Sequence, residues 1–146
     1  MIFSGSNLKI NSTNILMKPH VKVVCAIIHK KNKVLAVQRS EKMTLPLKWE
    51  FPGGKIEPEE SEMDCIKREI EEELKIEIKV GQRLTPSYYE YPNFTIELIP
   101  YLSEYKSGNL TLQEHSRFLL LNKDELKNLD WAEADVPIVN EYINYE

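Results

Sequence analysis

Cysteine, glycine and long apolar runs are all scarce in this chain. Two cysteines in 146 residues, Cys25 and Cys65, show neither CxxC spacing nor the density of a secreted disulfide scaffold. They read as reduced, buried thiols. Five glycines and eight prolines exclude a collagen-like or low-complexity chain. No stretch approaches the roughly 20 apolar residues of a membrane-spanning helix, so no membrane association is expected. The opening MIFSGSNLKINSTNILMK lacks the basic start and apolar run of a signal peptide. Basic excess is missing too. A net charge of -4 argues against a broad surface for a nucleic-acid polymer. With 42% hydrophobic and 29% charged residues, the expectation is one cytoplasmic globular domain, monomeric or homodimeric.

What the chain does have is concentrated acid. Between Glu57 and Glu77 stand 10 of the 23 acidic residues, against Lys67, Arg68 and Lys75 alone. Outside that window 16 basic residues face 13 acidic ones, so the rest of the protein is mildly basic. Around the acidic segment the pattern is readable. Residues 1–19 are polar and suggest an irregular lead-in, with the domain proper at 20–146. Val21–Ile28 and Val34–Val37 are apolar runs across a polar turn, predicting a hairpin. Trp49 and Glu50 lead an extended piece into Pro52-Gly53-Gly54, a loop signal. Further strands are expected at Ile76–Val80, at Tyr88–Tyr91 with Phe94–Ile99 as a second hairpin, and at Phe118–Leu121. Short helices are expected at Asp124–Leu129 and Val136–Ile143. Strands bracketed by helices without regular alternation place the chain in the α/β class, with a mixed sheet between helices.

The clearest helix follows Ser61, a suitable N-cap, with Glu62 and Asp64 favourable against the dipole in the first turn. Met63, Ile66, Ile70 and Leu74 recur at spacings of three and four and predict one apolar face. Glu69, Glu72 and Glu73, at i, i+3 and i+4, share another. Like charges so spaced cost only about 0.2–0.5 kcal/mol per pair, so a solvated acidic surface would tolerate them. Three clustered carboxylates also make an all-oxygen set for a hard cation such as Mg²⁺. Gly53-Gly54 permits close backbone approach nearby, and Arg68 can orient a carboxylate.

Gly54, five residues, Glu60, seven residues, then Arg68-Glu69-Ile70-Glu71-Glu72-Glu73-Leu74-Lys75-Ile76 resembles the Nudix box. Every position of that pattern is present except one glycine, where Lys75 stands. The resemblance implies an α/β/α sandwich with a mixed sheet, and cleavage of nucleoside diphosphate derivatives with Mg²⁺ or Mn²⁺. It also implies roles: Glu69, Glu72 and Glu73 as metal ligands with the Gly53 carbonyl, Arg68 holding Glu69, and Glu60 in the outer shell. Such a metal polarises phosphoryl oxygens and acidifies water. Glu69 is the first choice of general base and Glu114 the second.

Beyond the box, Trp49-Glu50-Phe51-Pro52-Gly53-Gly54-Lys55-Ile56 resembles the MutT branch, which converts nucleoside triphosphates to monophosphate and pyrophosphate. The branch implies Arg39 at substrate phosphate, beside Gly54, and Glu114 as a further metal ligand. Trp131-Ala132-Glu133-Ala134-Asp135-Val136-Pro137 resembles its C-terminal motif. Phe51 is expected to stack on the nucleobase and Asp135 to bond its edge. The blander alternatives are core packing for Phe51 and helix capping for Asp135. MutT enzymes devoted to 8-oxo-dGTP carry Asn where Asp135 stands, whereas relatives acting on CTP or several oxidised nucleotides carry Asp. A sanitising (d)NTP pyrophosphatase therefore ranks first and a CTP-type enzyme second. A Nudix domain that binds nucleotide without hydrolysing it would show loss of box glutamates, and none is lost.

Overall fold

The computed structural model describes Lys9–Ile10 and residues 16–145. Within the expected lead-in, β1 (Lys9–Ile10) and β2 (Leu16–Met17) pair antiparallel as a small separate sheet, so that segment is not wholly irregular. The rest of residues 1–15 lies outside the described residues.

The main sheet is built on β3 (His20–Lys30), whose run VVCAII is buried on both faces. A turn at Lys31 and Asn32, both at positive φ, returns the chain as β4 (Lys33–Gln38). Then come β5 (Trp49–Glu50), β6 (Gly53–Lys55), α1 (Glu62–Leu74), β7 (Glu77–Arg83), β8 (Ser87–Glu90), β9 (Thr95–Ser107) and β10 (Arg117–Leu121). A 3₁₀ turn at Lys123–Asn128, in place of the expected short helix, and α2 (Val136–Ile143) complete the order. The strands lie β10-β4-β3-β9-β7, with β5 on β4, β6 on β3 and β8 on β9. Among the described strands β3 and β9 are the one parallel pair, in register from His20–Thr95 to His29–Glu104. The sheet is therefore mixed, as expected.

Alternation along β3 sorts the core into two halves. Val23, Cys25 and Ile27 face one side and pack with Trp131, Ile138, Val139 and Tyr142 from the C-terminal segment and α2. Val24, Ala26 and Ile28 face the other and pack with Ile66, Ile70 and Leu74 of α1. The result is an α/β/α sandwich. One expectation for α1 fails: Met63 is 41% exposed, and Cys65 takes its place in the core beside Ile66. In that first turn it is Glu62 that reaches the sheet, accepting from Tyr101 of β9 and Arg83 of β7, while Met63 turns to solvent. Both cysteines are free and buried, and no described helix is long and apolar enough to cross a membrane.

Candidate active site

Ser61 caps α1 through its Oγ, which accepts from Asp64 N at 3.0 Å. The helix lies with its apolar face on the sheet, which turns Arg68, Glu69, Glu72 and Glu73 toward the β6 edge. Arg68 organises the group. Its Nε and Nη2 donate to Glu60 at 2.6 and 2.9 Å, while Nη1 donates to Glu69 at 3.0 Å and to Glu72 at 3.3 Å. These bonds hold the Glu60 carboxyl down at about 2. Glu69 goes the other way: burial raises it, against the pull of Arg68. Glu73 is pushed up to about 7 by burial, with the charges of Glu69 and Glu50 adding to the effect.

Both glycines at the end of β6 have steric duties. A Cβ on Gly53 would lie 1.9 Å from Val24 O, so only glycine lets this strand pair with β3. A Cβ on Gly54 would lie 2.2 Å from Glu69 Cδ, so the missing side chain is the space the Glu69 carboxylate occupies. Gly54, Lys55, Glu57, Arg68, Glu69, Glu72, Glu73, Gln113 and Glu114 line one cleft of about 390 Å³. The loop after β9 thus brings Glu114 to the glutamates of α1. Clefts of about 430 Å³ beside Lys67 and Lys79, and about 620 Å³ beside Gln82 and Glu141, contain none of Gly54, Arg68 or Glu69.

With residues 18–142 the chain matches the NUDIX domain. It belongs to the Nudix family. The Nudix chain is 32% identical over 123 residues to the CTP pyrophosphohydrolase of Escherichia coli K12, covering 84% of this chain and 91% of that protein. It is 29% identical to the 8-oxo-dGTP diphosphatase of Buchnera aphidicola from Schizaphis graminum, covering 84% and 92%. Among solved structures, a MutT protein of the Nudix hydrolase family from methicillin resistant Staphylococcus aureus is 44% identical. The two superpose with a TM-score of 0.72 over 88% of this chain and 98% of that one.

Five residues that the Nudix resemblance singles out do not line the carboxylate cleft: Glu60, expected in the outer shell, and Arg39, Phe51, Gly53 and Asp135. Arg39 is wholly buried instead of presenting a guanidinium to solvent. Pairing of Gln38 with Trp49 and of Val37 with Glu50 brings it beside Glu50. Its Nη1 donates to Glu50 Oε1 at 3.1 Å, and its Nε and Nη2 donate to the carbonyl and hydroxyl of Thr44. Phe51 is 1% exposed and packs on Trp131, ring centroids 4.8 Å apart. Asp135 sits on the same face of the sheet. Its Oδ2 accepts from Phe51 N at 3.0 Å, and it makes no capping bond to α2. Burial, with the charge of Glu50 next, raises its carboxyl well above the ordinary range. Its buried Oδ1 has no partner among the described residues. Tyr91 braces this corner, its hydroxyl accepting from Ala134 N at 3.0 Å.

Successive residues of one segment therefore serve three places: Glu50 the Arg39 side, Phe51 the Asp135 side, and Gly54 the acidic cleft. Lys55 and Gln113 are cleft residues that the sequence did not single out. Lys55 lies inside the quoted motif and was within reach of sequence reasoning. Gln113 carried no signal.

A divalent ion fits this donor set. The cleft is walled by carboxylate oxygens, the hard donors that such an ion prefers. Among the described residues no three acidic, imidazole or thiol side chains converge closely enough to hold an ion as they stand, so Glu69, Glu72, Glu73 and Glu114 would have to draw together around one. Arg68 stands between Glu60, Glu69 and Glu72 and holds them.

Proposed function

We propose that this Nudix chain is a divalent-cation-dependent nucleoside triphosphate pyrophosphohydrolase of the MutT kind. Water enters, one phosphoric anhydride bond breaks, and a (d)NTP becomes (d)NMP and pyrophosphate. One observation carries the reading: Gly54, Arg68, Glu69, Glu72, Glu73 and Glu114 all border the same cleft. The names of the relatives, a CTP pyrophosphohydrolase and an 8-oxo-dGTP diphosphatase, support the same reaction class.

In this reading Glu69, Glu72, Glu73 and Glu114, with the Gly53 carbonyl, hold Mg²⁺ or Mn²⁺. Bound there, the ion neutralises phosphate charge and makes water a better nucleophile. Arg68 fixes the Glu69 carboxylate and Glu60 fixes Arg68. Glu69 is our first choice for the group that takes the proton from water. Glu114 is the second choice. Buried Arg39 serves the site by packing against Glu50. A panel of canonical and oxidised nucleotides, assayed for pyrophosphate release with Mg²⁺, tests the proposal. Release from none of them overturns it.

Asp135 favours a CTP-type or broad oxidised-nucleotide specificity over strict 8-oxo-dGTP recognition. Its unpartnered Oδ1 and proton-retaining carboxyl suit a bond to a base edge. Leaving such a group unpaired costs about 1–3 kcal/mol, roughly 5- to 150-fold in relative kcat/KM. Asp135→Asn should shift the ranking of nucleobases by that order, measured as kcat/KM across the panel. Superimposable rankings would leave Asp135 only its bond to Phe51 N.

A further inference from the structure

The loop that carries Glu114 is fastened at several points. Thr111 N donates to Leu74 O at 2.9 Å and Gln113 N to Glu73 O at 3.2 Å, both on the last turn of α1. On the far side Ser116 N donates to Gln38 O at 2.9 Å, at the end of β4. These backbone bonds hold the flanks and leave the direction of the Glu114 side chain to be set by something else. His115 is placed to set it: it is buried, whereas Glu114 and Ser116 on either side are exposed. With His115 turned inward, Glu114 stands exposed and forms part of the cleft wall.

The inward anchor is specific. His115 Nε2 lies 2.8 Å from Glu50 Oε2, and Arg39 Nη1 lies 3.1 Å from Glu50 Oε1. Burial would raise Glu50, but the bond from His115 and the charge of Arg39 work against it and favour the ionised carboxylate. An ionised carboxylate only accepts, so Nε2 carries the proton and donates. Arg39, Glu50 and His115 are 39, 50 and 115 in the chain, yet they join β4, β5 and the Glu114 loop in one buried line.

We infer that His115 is a positioning residue: through its bond to Glu50 it fixes the Glu114 carboxylate in the cleft and sets how well that carboxylate serves the bound cation. This rests on the proposed function only for its kinetic part. His115 touches neither substrate nor cation and acts through Glu114 alone. Misplacement of a working group by about 1 Å costs on the order of 10²-fold. A loosened loop should lose at least about 10-fold.

Two variants break the bond differently: His115→Leu keeps volume without a donor, and His115→Asn keeps a donor too short to reach Glu50. His115→Gln restores an amide near the Nε2 position. Each is made in the wild type and in Glu114→Gln, and kcat, KM and Mn²⁺ affinity are measured on each folded variant. In the wild type, Leu or Asn should lower kcat at least about 10-fold with KM nearly constant and weaken Mn²⁺ binding, and Gln should recover most of both. In Glu114→Gln the same changes should move neither quantity by more than about twofold. Equal losses in both backgrounds, in whichever of the two variants folds, would overturn the inference. If the wild type hydrolyses no nucleotide, the proposed function fails while Mn²⁺ affinity still decides the role of His115.

Discussion

Glu69 sits over a glycine, accepts from Arg68, and has its carboxyl raised by burial. Replacing it by Gln keeps the shape and removes the charge. Glu69→Gln should therefore lower kcat at least ~10²-fold with the fold intact, checked by pyrophosphate release and near-ultraviolet circular dichroism. Near-wild-type turnover would move the chemistry out of this cleft. Glu73 gives a pH signature. Its carboxyl rises from 4.5 to about 7 on folding, so between those values the folded chain holds a proton that the unfolded chain has released. Stability contributed by this group falls as pH rises through that window. Without metal, Glu73→Gln should match the wild type near pH 4.5 and become progressively more heat-stable than it up to about pH 7.5. Mg²⁺ should restore the wild type and not the variant. Parallel melting curves across this range would show that Glu73 is ionised throughout.

The acidic helix was the most legible element, because its signals are local. Ser61, the acidic first turn and the spacing of Ile66, Ile70 and Leu74 all lie within one segment, and the structure uses each of them. Met63 escaped because the contacts of the first turn with the sheet are made by Glu62 and by Cys65, neither of which belongs to the apolar spacing. Lys75, which stands where the box pattern has glycine, closes the helix. The position is left-handed at φ 59°, and its N–H reaches Glu71 O at 3.0 Å. A lysine held there costs roughly 1 kcal/mol relative to glycine. Lys75→Gly should raise Tm by about 2–4 °C and leave kcat within about twofold, a change well under 1 kcal/mol in barrier. The ligand-bearing turns are separately anchored by the apolar face and by Thr111 and Gln113, so a large gain in activity would mean that Lys75 distorts them.

The molecule as a whole divides its work across the sheet. One face carries α1 and the acidic cleft, and the other carries α2, Trp131 and Asp135. The adjoining glycines of β6 separate fold from chemistry. Gly53→Ala meets strand backbone and should cost about 3 kcal/mol or more, seen as a large drop in Tm or failure to fold. The nearest atoms that Gly54→Ala meets are those of the Glu69 carboxyl group, the end of a flexible side chain, so Tm should change little while kcat falls about 10- to 100-fold. A Gly54→Ala enzyme of full activity would show that the position of Glu69 is not critical. What stayed hidden in the sequence is of this long-range kind. Arg39 was singled out for substrate phosphate by its motif, and nothing near it in the chain announces its buried partners Glu50 and, through Glu50, His115. Phe51 and Asp135 carried motif identity, but their mutual bond spans 84 positions.

The parallel pairing of β3 with β9 has a kinetic corollary. His20 and Thr95 are 75 residues apart, and the central ladder cannot form until that whole loop closes. On the ribosome, Val23-Val24-Cys25-Ala26-Ile27-Ile28 emerges long before its parallel partner. In the interval it is an unmatched, β-branched edge of the sort that seeds association between chains. Refolding in milliseconds to seconds, slower than for helical proteins of this size, is the expected result. Nascent chains stalled before Thr95 should depend on chaperones far more than those stalled after Ser107.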